Sequence, residues 1–260
     1  MKTLLVGSVL SALCVSVACV APAVADQITF VSQGGAYQEA QTKAILDPAA
    51  KRLNITIKQD SVPDAWPMVK AQGETGKPIW DVIDTPTSNC LRGGREGLIE
   101  PLDLSKIPNA EKMPAAYRTP YSVAYEFYSS VLAYNTKALK KVPQSWADFW
   151  NVKDFPGTRA LRNDPMGTLE AALLSDGVPR DKLYPLDVDR AYKRLKQIKP
   201  DIAVWWSSGG QSAQLLSDGE VDMLMMWNGR VGAVHKEKPE MDFTYNDGLL
   251  QNTQLCILKN

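Results

Sequence analysis

Few side chains of this 260-residue chain could take part in covalent catalysis. His235 is its single histidine, so any serine or cysteine nucleophile that is activated by histidine must use it. It lies in the charged stretch His235-Lys236-Glu237-Lys238, which is typical of a solvent-exposed helix end. Zinc sites usually need several histidine or cysteine ligands. Of the four cysteines, two lie within the first 25 residues, and one histidine with the two distant ones that remain does not provide such a set. The sequence therefore predicts neither a catalytic triad nor a metal site.

Two glycine-rich segments approach the spacing of nucleotide-binding loops without matching it. In Gly73-Glu74-Thr75-Gly76-Lys77, Pro78 stands where a phosphate loop has its Ser or Thr ligand, and Ala71 replaces the first glycine. Arg92-Gly93-Gly94-Arg95-Glu96-Gly97 is typical of a loop or a helix end rather than of a dinucleotide-binding turn. We therefore expect no cofactor, and a protein that binds a molecule rather than converting it. A secreted α/β enzyme such as a hydrolase is the alternative.

The first 25 residues have the layout of a secretory signal peptide. Met1-Lys2-Thr3 is a short basic start, residues 4–20 are mostly apolar and uncharged, and Ala23-Val24-Ala25 provides the small residues that a signal peptidase needs. The apolar run is short for a membrane anchor and has no basic flank after it. Lipid attachment at Cys19 is a weaker alternative, because Ser16 stands where that motif prefers a large aliphatic residue. We expect an exported protein, cleaved after the last of these alanines.

The composition indicates an ordinary globular protein that is not a general nucleic-acid binder. The chain has 29 basic and 29 acidic residues, and 45% of it is hydrophobic. No second apolar run is long enough to span a membrane, and the length suits one large domain or two lobes. Beyond the leader, Cys90 and Cys256 either pair in an oxidising compartment or stay as two buried free thiols.

Strand and helix patterns alternate in the first part of the chain. Residues 27–32 alternate apolar and polar and end at Gly34-Gly35, which predicts a strand and a tight turn. The following segments predict helices over 37–53 and 69–76 and strands over 54–60 and 80–84. This order is typical of a parallel α/β sheet, whose ligands bind beyond the carboxyl ends of the strands. The loops expected at that edge are 33–37, 60–66 and 84–89.

The second part of the chain begins with an irregular connection. Residues 101–120 contain many prolines and show little periodicity, and Ser145 is then a predicted N-cap of a helix. Further elements are predicted as helices over 168–176, 187–199 and 211–217 and as strands over 128–135, 202–206 and 221–227. The helix after Ser207-Ser208-Gly209-Gly210 should direct unpaired amide groups at whatever lies above it. A second α/β unit is expected over residues 136–250.

Five segments together resemble the substrate-binding proteins of bacterial ABC importers, of the spermidine/putrescine-binding type. The segments are Trp80-Asp81-Val82-Ile83-Asp84-Thr85-Pro86-Thr87, Ser130-Val131-Leu132-Ala133-Tyr134-Asn135-Thr136, Pro143-Gln144-Ser145-Trp146-Ala147-Asp148-Phe149-Trp150, Asp218-Gly219-Glu220-Val221-Asp222-Met223 and Trp227-Asn228-Gly229-Arg230. Their order and spacing across the chain carry the resemblance. It implies an α/β fold of the type II periplasmic binding protein class, in which two lobes, each a mixed sheet flanked by helices, close on a solute.

The resemblance also implies how the lobes are arranged. Residues 26–135 would form lobe one, residues 136–251 would form lobe two, and residues 252–260 would return to lobe one. Strands within 131–135 and 254–258 would cross between the lobes, so Cys256 would approach Cys90 and we expect the two to pair. Relatives usually continue for several helices, so we expect a C-terminally truncated chain with apolar surface of lobe one left uncovered.

By the same resemblance the protein would be a periplasmic monomer that delivers its solute to an ABC permease in the inner membrane. Its pocket would be built by Gln33, Gly35, Tyr37, Thr85 and Thr87 of lobe one and by Asp164, Trp205, Trp206, Trp227 and Arg230 of lobe two. Aromatic walls suit the alkyl and ammonium parts of an amine, although tryptophans also serve as core. Because neighbours on a strand point to opposite faces, at most one of Trp205 and Trp206 would face the cleft.

The chain departs from the polyamine-binding pattern at its acidic positions. Arg230 stands where these relatives have an acid, three residues after Trp227. Residues 249–255 offer amides and a threonine where another acid is expected, and Gly167 stands near a third acidic position. Because guanidinium pairs with carboxylate, the residues favour a carboxylate-bearing amine or an amino-acid-like ligand over a polyamine. The alternative is that Arg230 points outward to a surface acid. Iron is disfavoured, since the usual adjacent tyrosine pair is absent.

Overall fold

The structure is a computed structural model that describes residues 26–259. The predicted signal peptide, residues 1–25, lies outside the described residues. The strands are β1 (Gln27–Ser32), β2 (Thr56–Ser61), β3 (Val82–Pro86), β4 (Arg118–Thr119), β5 (Ser122–Asn135), β6 (Arg159–Arg162), β7 (Ile202–Trp206), β8 (Met223–Trp227) and β9 (Met241–Ile257). The α-helices are α1 (Gly35–Gln41), α2 (Asp47–Leu53), α3 (Trp66–Thr75), α4 (Thr87–Arg95), α5 (Trp146–Trp150), α6 (Pro165–Ser175), α7 (Val188–Ile198), α8 (Gly209–Ser217) and α9 (Asn228–Glu237).

Two long strands, β5 and β9, join the rest of the sheet. The strand order is β2-β1-β3-β9-β5-β8-β6-β7, with β4 paired to β5. β1 is parallel to β2 and β3, and β6 is parallel to β7 and β8. β9 runs antiparallel to β3 and to β5, and β5 runs antiparallel to β8. The result is a mixed sheet flanked by helices, as the sequence predicts.

The hydrophobic core is divided between two bodies, which we call lobe one and lobe two. Lobe one packs around Val31, Trp80 and Ile83. Lobe two has a cluster on each side of its strands, because neighbouring residues of a strand point to opposite faces. Leu132 of β5 packs in one of these clusters, and Val131 packs in the other. The predicted lobe boundaries stay predictions, since β5 and β9 run through both bodies.

Most regular segments lie close to their predicted positions. The long strands differ, since β5 begins at Ser122 instead of residue 128 and β9 begins at Met241, well before the crossing expected over 254–258. β7 has the predicted bounds, and Ser145 caps α5 by accepting a hydrogen bond from the Asp148 amide. The predicted helix over 37–53 contains a π-helical turn, Thr42–Leu46, between α1 and α2. β6 was not predicted, because four residues that begin and end with arginine show no clear alternation. The connection over 101–120 is irregular, with three short 3-10 turns.

Cys90 and Cys256 form a disulfide, so their predicted pairing is confirmed. Cys90 lies on α4 and Cys256 lies on β9, and both are fully buried in the core of lobe one. The bond connects positions that are 166 residues apart. It therefore fastens the returning strand to the lobe from which the chain started.

Separately, within residues 26–259 no helix is both long enough and apolar enough to cross a membrane.

We expect the double variant Cys90→Ala/Cys256→Ala to unfold at lower urea concentration than the wild type. Closing so long a loop removes entropy from the unfolded chain, which corresponds to about 5 kcal/mol of stabilisation in the chain-entropy treatment. The measurement is urea unfolding with and without a reductant. The reductant should lower the stability of the wild type and leave the double variant unchanged. Two reactive thiols per chain in the unreduced, denatured wild type, prepared without residues 1–25 and their two cysteines, would contradict the pairing.

Candidate functional site

A cavity of about 410 Å³ lies between the two lobes, at the carboxyl ends of β1 and β8. Both lobes and both long strands contribute to its wall. The lining residues are Gln33, Ala36, Tyr37, Ala40, Glu126, Tyr128, Trp227, Gly229, Arg230, Ala233, Lys236 and Thr253. Of the ten residues predicted for the site, the structure brings together four here: Gln33, Tyr37, Trp227 and Arg230. The cavity therefore lies where the loops of an α/β sheet are expected to converge on a ligand.

Arg230 is the one guanidinium in the wall of this cavity. It lies in the first turn of α9, and only 8% of it is exposed. Its Nη2 donates a hydrogen bond to the carbonyl oxygen of Gly34 across the interlobe gap, at 3.2 Å, and its guanidinium carbon lies 5.8 Å from the centre of the Tyr37 ring. Burial lowers its pKa, and Tyr37 opposes that shift. Among the residues that the structure describes, Arg230 forms no ion pair.

The approach of Arg230 to lobe one depends on Gly34 and Gly35. Both have positive φ angles, 68° and 61°, which residues with a side chain rarely adopt. A Cβ atom on Gly35 would lie 3.0 Å from Arg230 Nη1. Gly35 thus contributes to the site through its missing side chain. It leaves room for the guanidinium.

Trp227 and Tyr128 form the aromatic wall of the cavity. Their rings are 5.9 Å apart and nearly perpendicular. Trp206 packs edge-on behind Trp227 at 5.5 Å, is fully buried, and donates its indole N–H to the carbonyl of Met225. It is therefore a core residue behind the wall. Trp205 points to the other face of β7, as strand alternation requires, and neither tryptophan lines the interlobe cavity.

Three other predicted residues lie outside the cavity wall. Asp164 caps α6 by accepting from the Met166 amide at 2.8 Å, and it lines a separate depression beside α7 together with Trp205. Thr85 is buried and accepts from the Asn89 side chain, and Thr87 donates to Asn252 of β9 at 3.0 Å. The two threonines therefore help to hold α4 in place relative to β3 and β9.

The sequence did not reveal a cluster of polar groups beneath the cavity, centred on Asp84. This carboxylate is 3% exposed and has no cationic partner within the described part of the chain. Instead it accepts hydrogen bonds from uncharged donors, namely Ser32 at 2.9 Å, Tyr37 at 2.8 Å, Gln41 at 2.9 Å and Thr253. These donors come from β1, α1 and β9, so Asp84 fastens the floor of the cavity to three elements. Charge dispersed over several donors is what allows a buried carboxylate to persist.

Glu126 is the second acid that the sequence did not reveal, and it lines the cavity itself. One of its carboxyl oxygens lies 2.5 Å from the hydroxyl of Tyr37. Burial raises the pKa of Glu126, the hydrogen bond with Tyr37 lowers it, and the nearby charge of Asp84 raises it further. Burial and Asp84 also raise the pKa of Tyr37, so this tyrosine stays neutral. The sequence signal for Glu126 is an acid among aromatic residues in Tyr125-Glu126-Phe127-Tyr128. This signal was missed because the sequence pattern predicts that the strand starts at residue 128, whereas β5 begins at Ser122.

Two observations on the described residues concern catalysis by histidine and the binding of a metal ion. The Nδ1 atom of His235 lies 2.7 Å from the backbone carbonyl oxygen of Met241. Nowhere between residues 26 and 259 do three His, Cys, Asp or Glu side chains come together as a metal site would require. The charged groups of the cavity are thus an arginine and a lysine on α9 and a glutamate on β5. Such groups can bind a polar solute through ion pairs and hydrogen bonds.

Comparison with known proteins gives a family match over nearly the whole described chain. The family described as bacterial extracellular solute-binding protein matches residues 29–260. The gamma-aminobutyric acid-binding protein of Pseudomonas aeruginosa is 36% identical over 247 residues, which are 93% of this chain and 70% of that protein. The chain is therefore similar to most of that relative, though not to its full length.

Solved structures agree with the family match. The crystal structure of an ABC transporter substrate-binding protein from Bradyrhizobium japonicum USDA 110 shares 71% sequence identity, with a TM-score of 0.84 over 90% of this chain and 73% of that one. The PBP MotA from A. tumefaciens B6, crystallised in complex with glucopine, shares 40% identity, with a TM-score of 0.85 and the same coverage. The two-lobed binding-protein fold that the sequence predicts is thereby confirmed.

Proposed function

The chain belongs to the bacterial extracellular solute-binding protein family, whose members bind solutes and are not enzymes, and we propose that it is the receptor of an ABC importer. Its solute would be a small molecule that carries both a carboxylate and an amine. The solute would sit in the interlobe cavity, and the closed protein would deliver it to the permease. We include in this proposal the periplasm as its location, removal of residues 1–25 on export, and the lobe boundaries expected from the sequence.

The observation that supports this proposal is the buried guanidinium of Arg230. A charge that is removed from water costs several kcal/mol unless an opposite charge and hydrogen bonds compensate it. Within residues 26–259, the contacts that compensate the charge of Arg230 are one hydrogen bond to the carbonyl of Gly34 and the face of the Tyr37 ring. A solute carboxylate in the cavity would provide the missing charge, and the planar fork of the guanidinium favours two parallel hydrogen bonds to it.

The rest of the cavity suits the other end of such a solute. Tyr128 and Trp227 offer aromatic faces to an alkyl chain or an ammonium group. Glu126 is the acid in the wall, while Arg230 and Lys236 both carry positive charge. A polyamine would place two or more positive charges against these two cations, so the cavity disfavours it. That a relative is named for binding gamma-aminobutyric acid, and another is complexed with glucopine, supports the same class of solute.

We expect Arg230→Ala to weaken binding of a carboxylate-bearing amine by roughly thirtyfold or more, which corresponds to about 2–5 kcal/mol for a buried charge pair that loses one partner. Arg230→Lys should recover only part of the affinity, because an ammonium cannot reproduce the planar fork. Arg230→Asp should weaken it further. The measurement is calorimetric titration of each variant with gamma-aminobutyric acid, glucopine and putrescine.

Arg95→Ala is the matched control for that series, since Arg95 is an exposed arginine on α4 of lobe one. It should leave every affinity unchanged. Tight binding of putrescine by the wild type, unaffected by Arg230→Ala, would contradict the proposed carboxylate contact and would favour the polyamine interpretation instead.

The contact between Arg230 and Gly35 provides a second test, because the chain offers a glycine with nearly the same φ angle elsewhere. Gly35 and Gly76 have φ angles of 61° and 63°, but a Cβ atom on Gly76 would meet nothing within 4 Å. Alanine at either position should cost about 1–2 kcal/mol of stability through the left-handed backbone. Only Gly35→Ala should also displace the guanidinium, and so lower the affinity for gamma-aminobutyric acid by about tenfold. Equal affinities of the two variants would mean that this contact does not matter for binding.

A further inference from the structure

The hydroxyl group of Tyr37 lies between two carboxyl groups. Its oxygen is 2.8 Å from Asp84 Oδ2 and 2.5 Å from Glu126 Oε2. Both distances are those of a strong hydrogen bond between oxygen atoms. The third neighbour is the hydroxyl of Tyr125, at 3.2 Å, which in turn accepts from the side-chain amide of Gln41. Within residues 26–259, Tyr37 is thus the residue that contacts directly both the buried acid of lobe one and the acid that faces the cavity.

The number of protons in this cluster is limited. A tyrosine hydroxyl has one hydrogen to donate and can otherwise only accept. Two ionised carboxylates accept and cannot donate. If both were ionised, one of the two short contacts would bring two oxygen lone pairs together with no proton between them. One of the carboxyl groups must therefore supply a proton of its own.

The surroundings decide which carboxyl group is protonated. Ser32 has one hydroxyl hydrogen for both the side-chain carbonyl of Gln41 and Asp84. Asp84 is reached in addition by the hydroxyl of Thr253 and by the amide of Gln41, besides Tyr37. These donors support its negative charge. Glu126 has no hydrogen-bond partner other than Tyr37 within residues 26–259. Burial and the nearby charge of Asp84 raise the pKa of Glu126, which agrees with a proton on its carboxyl group.

We infer that Glu126 is a protonated acid in the solute-free protein, donating to Tyr37, and that it becomes the ionised partner of the solute's ammonium group when the solute binds. The O–H bond of the Glu126 carboxyl group breaks, and its proton passes to a base in the surrounding water. The ammonium group keeps its own three protons and donates to the carboxylate that has formed. Glu126 thereby exchanges its hydrogen bond with Tyr37 for one with the ammonium group, while Tyr37 keeps donating to Asp84. This assignment rests on the proposed function, which supplies the amine of the solute. It identifies Glu126 as the residue that binds that amine.

The charged groups around Glu126 are consistent with that exchange. Tyr37 on α1 and Asp84 on β3 face it from below, Tyr125 and Tyr128 flank it on β5, and uncharged Thr253 of β9 lies opposite in the register. Arg230 and Lys236 of α9 line the same cavity. Asp84 disfavours a second negative charge, whereas an entering ammonium group favours it. Below the pKa of Glu126, affinity for an amine should therefore rise about tenfold per pH unit, and above it should be constant.

The first experiment needs no solute. Carbon-13 labelling of the glutamate carboxyl groups, with Glu126→Gln to assign the signal, follows the ionisation of Glu126 by NMR. We expect its midpoint to lie well above the value of about 4.3 for an unperturbed glutamate. A midpoint at or below that value would overturn the inference, whether or not the protein binds a carboxylate-bearing amine.

The second experiment measures proton release during binding. Gamma-aminobutyric acid is titrated into the full chain in two buffers of different ionisation enthalpy, at a pH below the midpoint found by NMR. Close to one proton should be released per bound solute. Butyrate, which lacks the amine, should bind through Arg230 and release no proton beyond the fraction that free butyric acid still carries at that pH. Glu126→Gln should abolish the release and weaken gamma-aminobutyric acid by about tenfold or more, with butyric acid unaffected.

Glu170→Gln is the matched control, because Glu170 is a buried acid of lobe two that accepts from the amide of Gly167 and from Tyr184 and lies outside the cavity wall. It should keep both the affinity and the proton release. Binding of gamma-aminobutyric acid with no proton release, or equal binding by the wild type and Glu126→Gln, would overturn the assignment of Glu126 while leaving the carboxylate contact of Arg230 intact. Failure of every probe to bind would refute the proposed function and with it the amine contact, and the NMR midpoint would then decide the protonation of Glu126 by itself.

Discussion

The site depends on one constraint, a guanidinium that is buried between two lobes and has no carboxylate partner among residues 26–259. Arg230 extends from α9 of lobe two and contacts the Gly34 carbonyl of lobe one. In that position it loses much of its hydration, and the described part of the chain gives it one hydrogen bond and one aromatic contact in return. A solute carboxylate that completes its coordination would stabilise this same arrangement of the lobes. Binding and closure are then one process, because the group that holds the solute also bridges the gap.

The strands β5 and β9 set the other side of the charge pattern. They hold Glu126 and Thr253 opposite each other, and Asp84 joins them to β3 and α1 through uncharged donors. Acidic groups therefore collect on the lobe-one side of the cavity, and the cations Arg230 and Lys236 lie on α9 of lobe two. A solute with one charge of each sign matches this separation better than a solute with charges of one sign. The disulfide to Cys256 fixes the end of β9 on which the arrangement is built.

Much of the fold, and four of the twelve residues that line the cavity, follow from the sequence for identifiable reasons. Segments with regular apolar spacing, such as those of β1 and α7, were predicted because their periodicity is local. Trp227 and Arg230 were found because they share a short motif. Glu126 and Asp84 were not, because their importance comes from strand pairing and from a proton shared through Tyr37, which no local pattern encodes. Trp206 is the opposite case, a residue that the sequence placed in the pocket and that the structure buries in the core. Its position beside a glycine turn does not reveal that its face of β7 is covered.

The most direct test of the account is native mass spectrometry of the protein purified without denaturation from its own cell. We expect a retained small molecule that carries at least one carboxylate and one basic nitrogen. It should be absent from Arg230→Ala prepared in the same way, because the buried charge that holds the carboxylate is gone. A retained polyamine without any carboxylate, present equally in the wild type and in Arg230→Ala, would contradict the account.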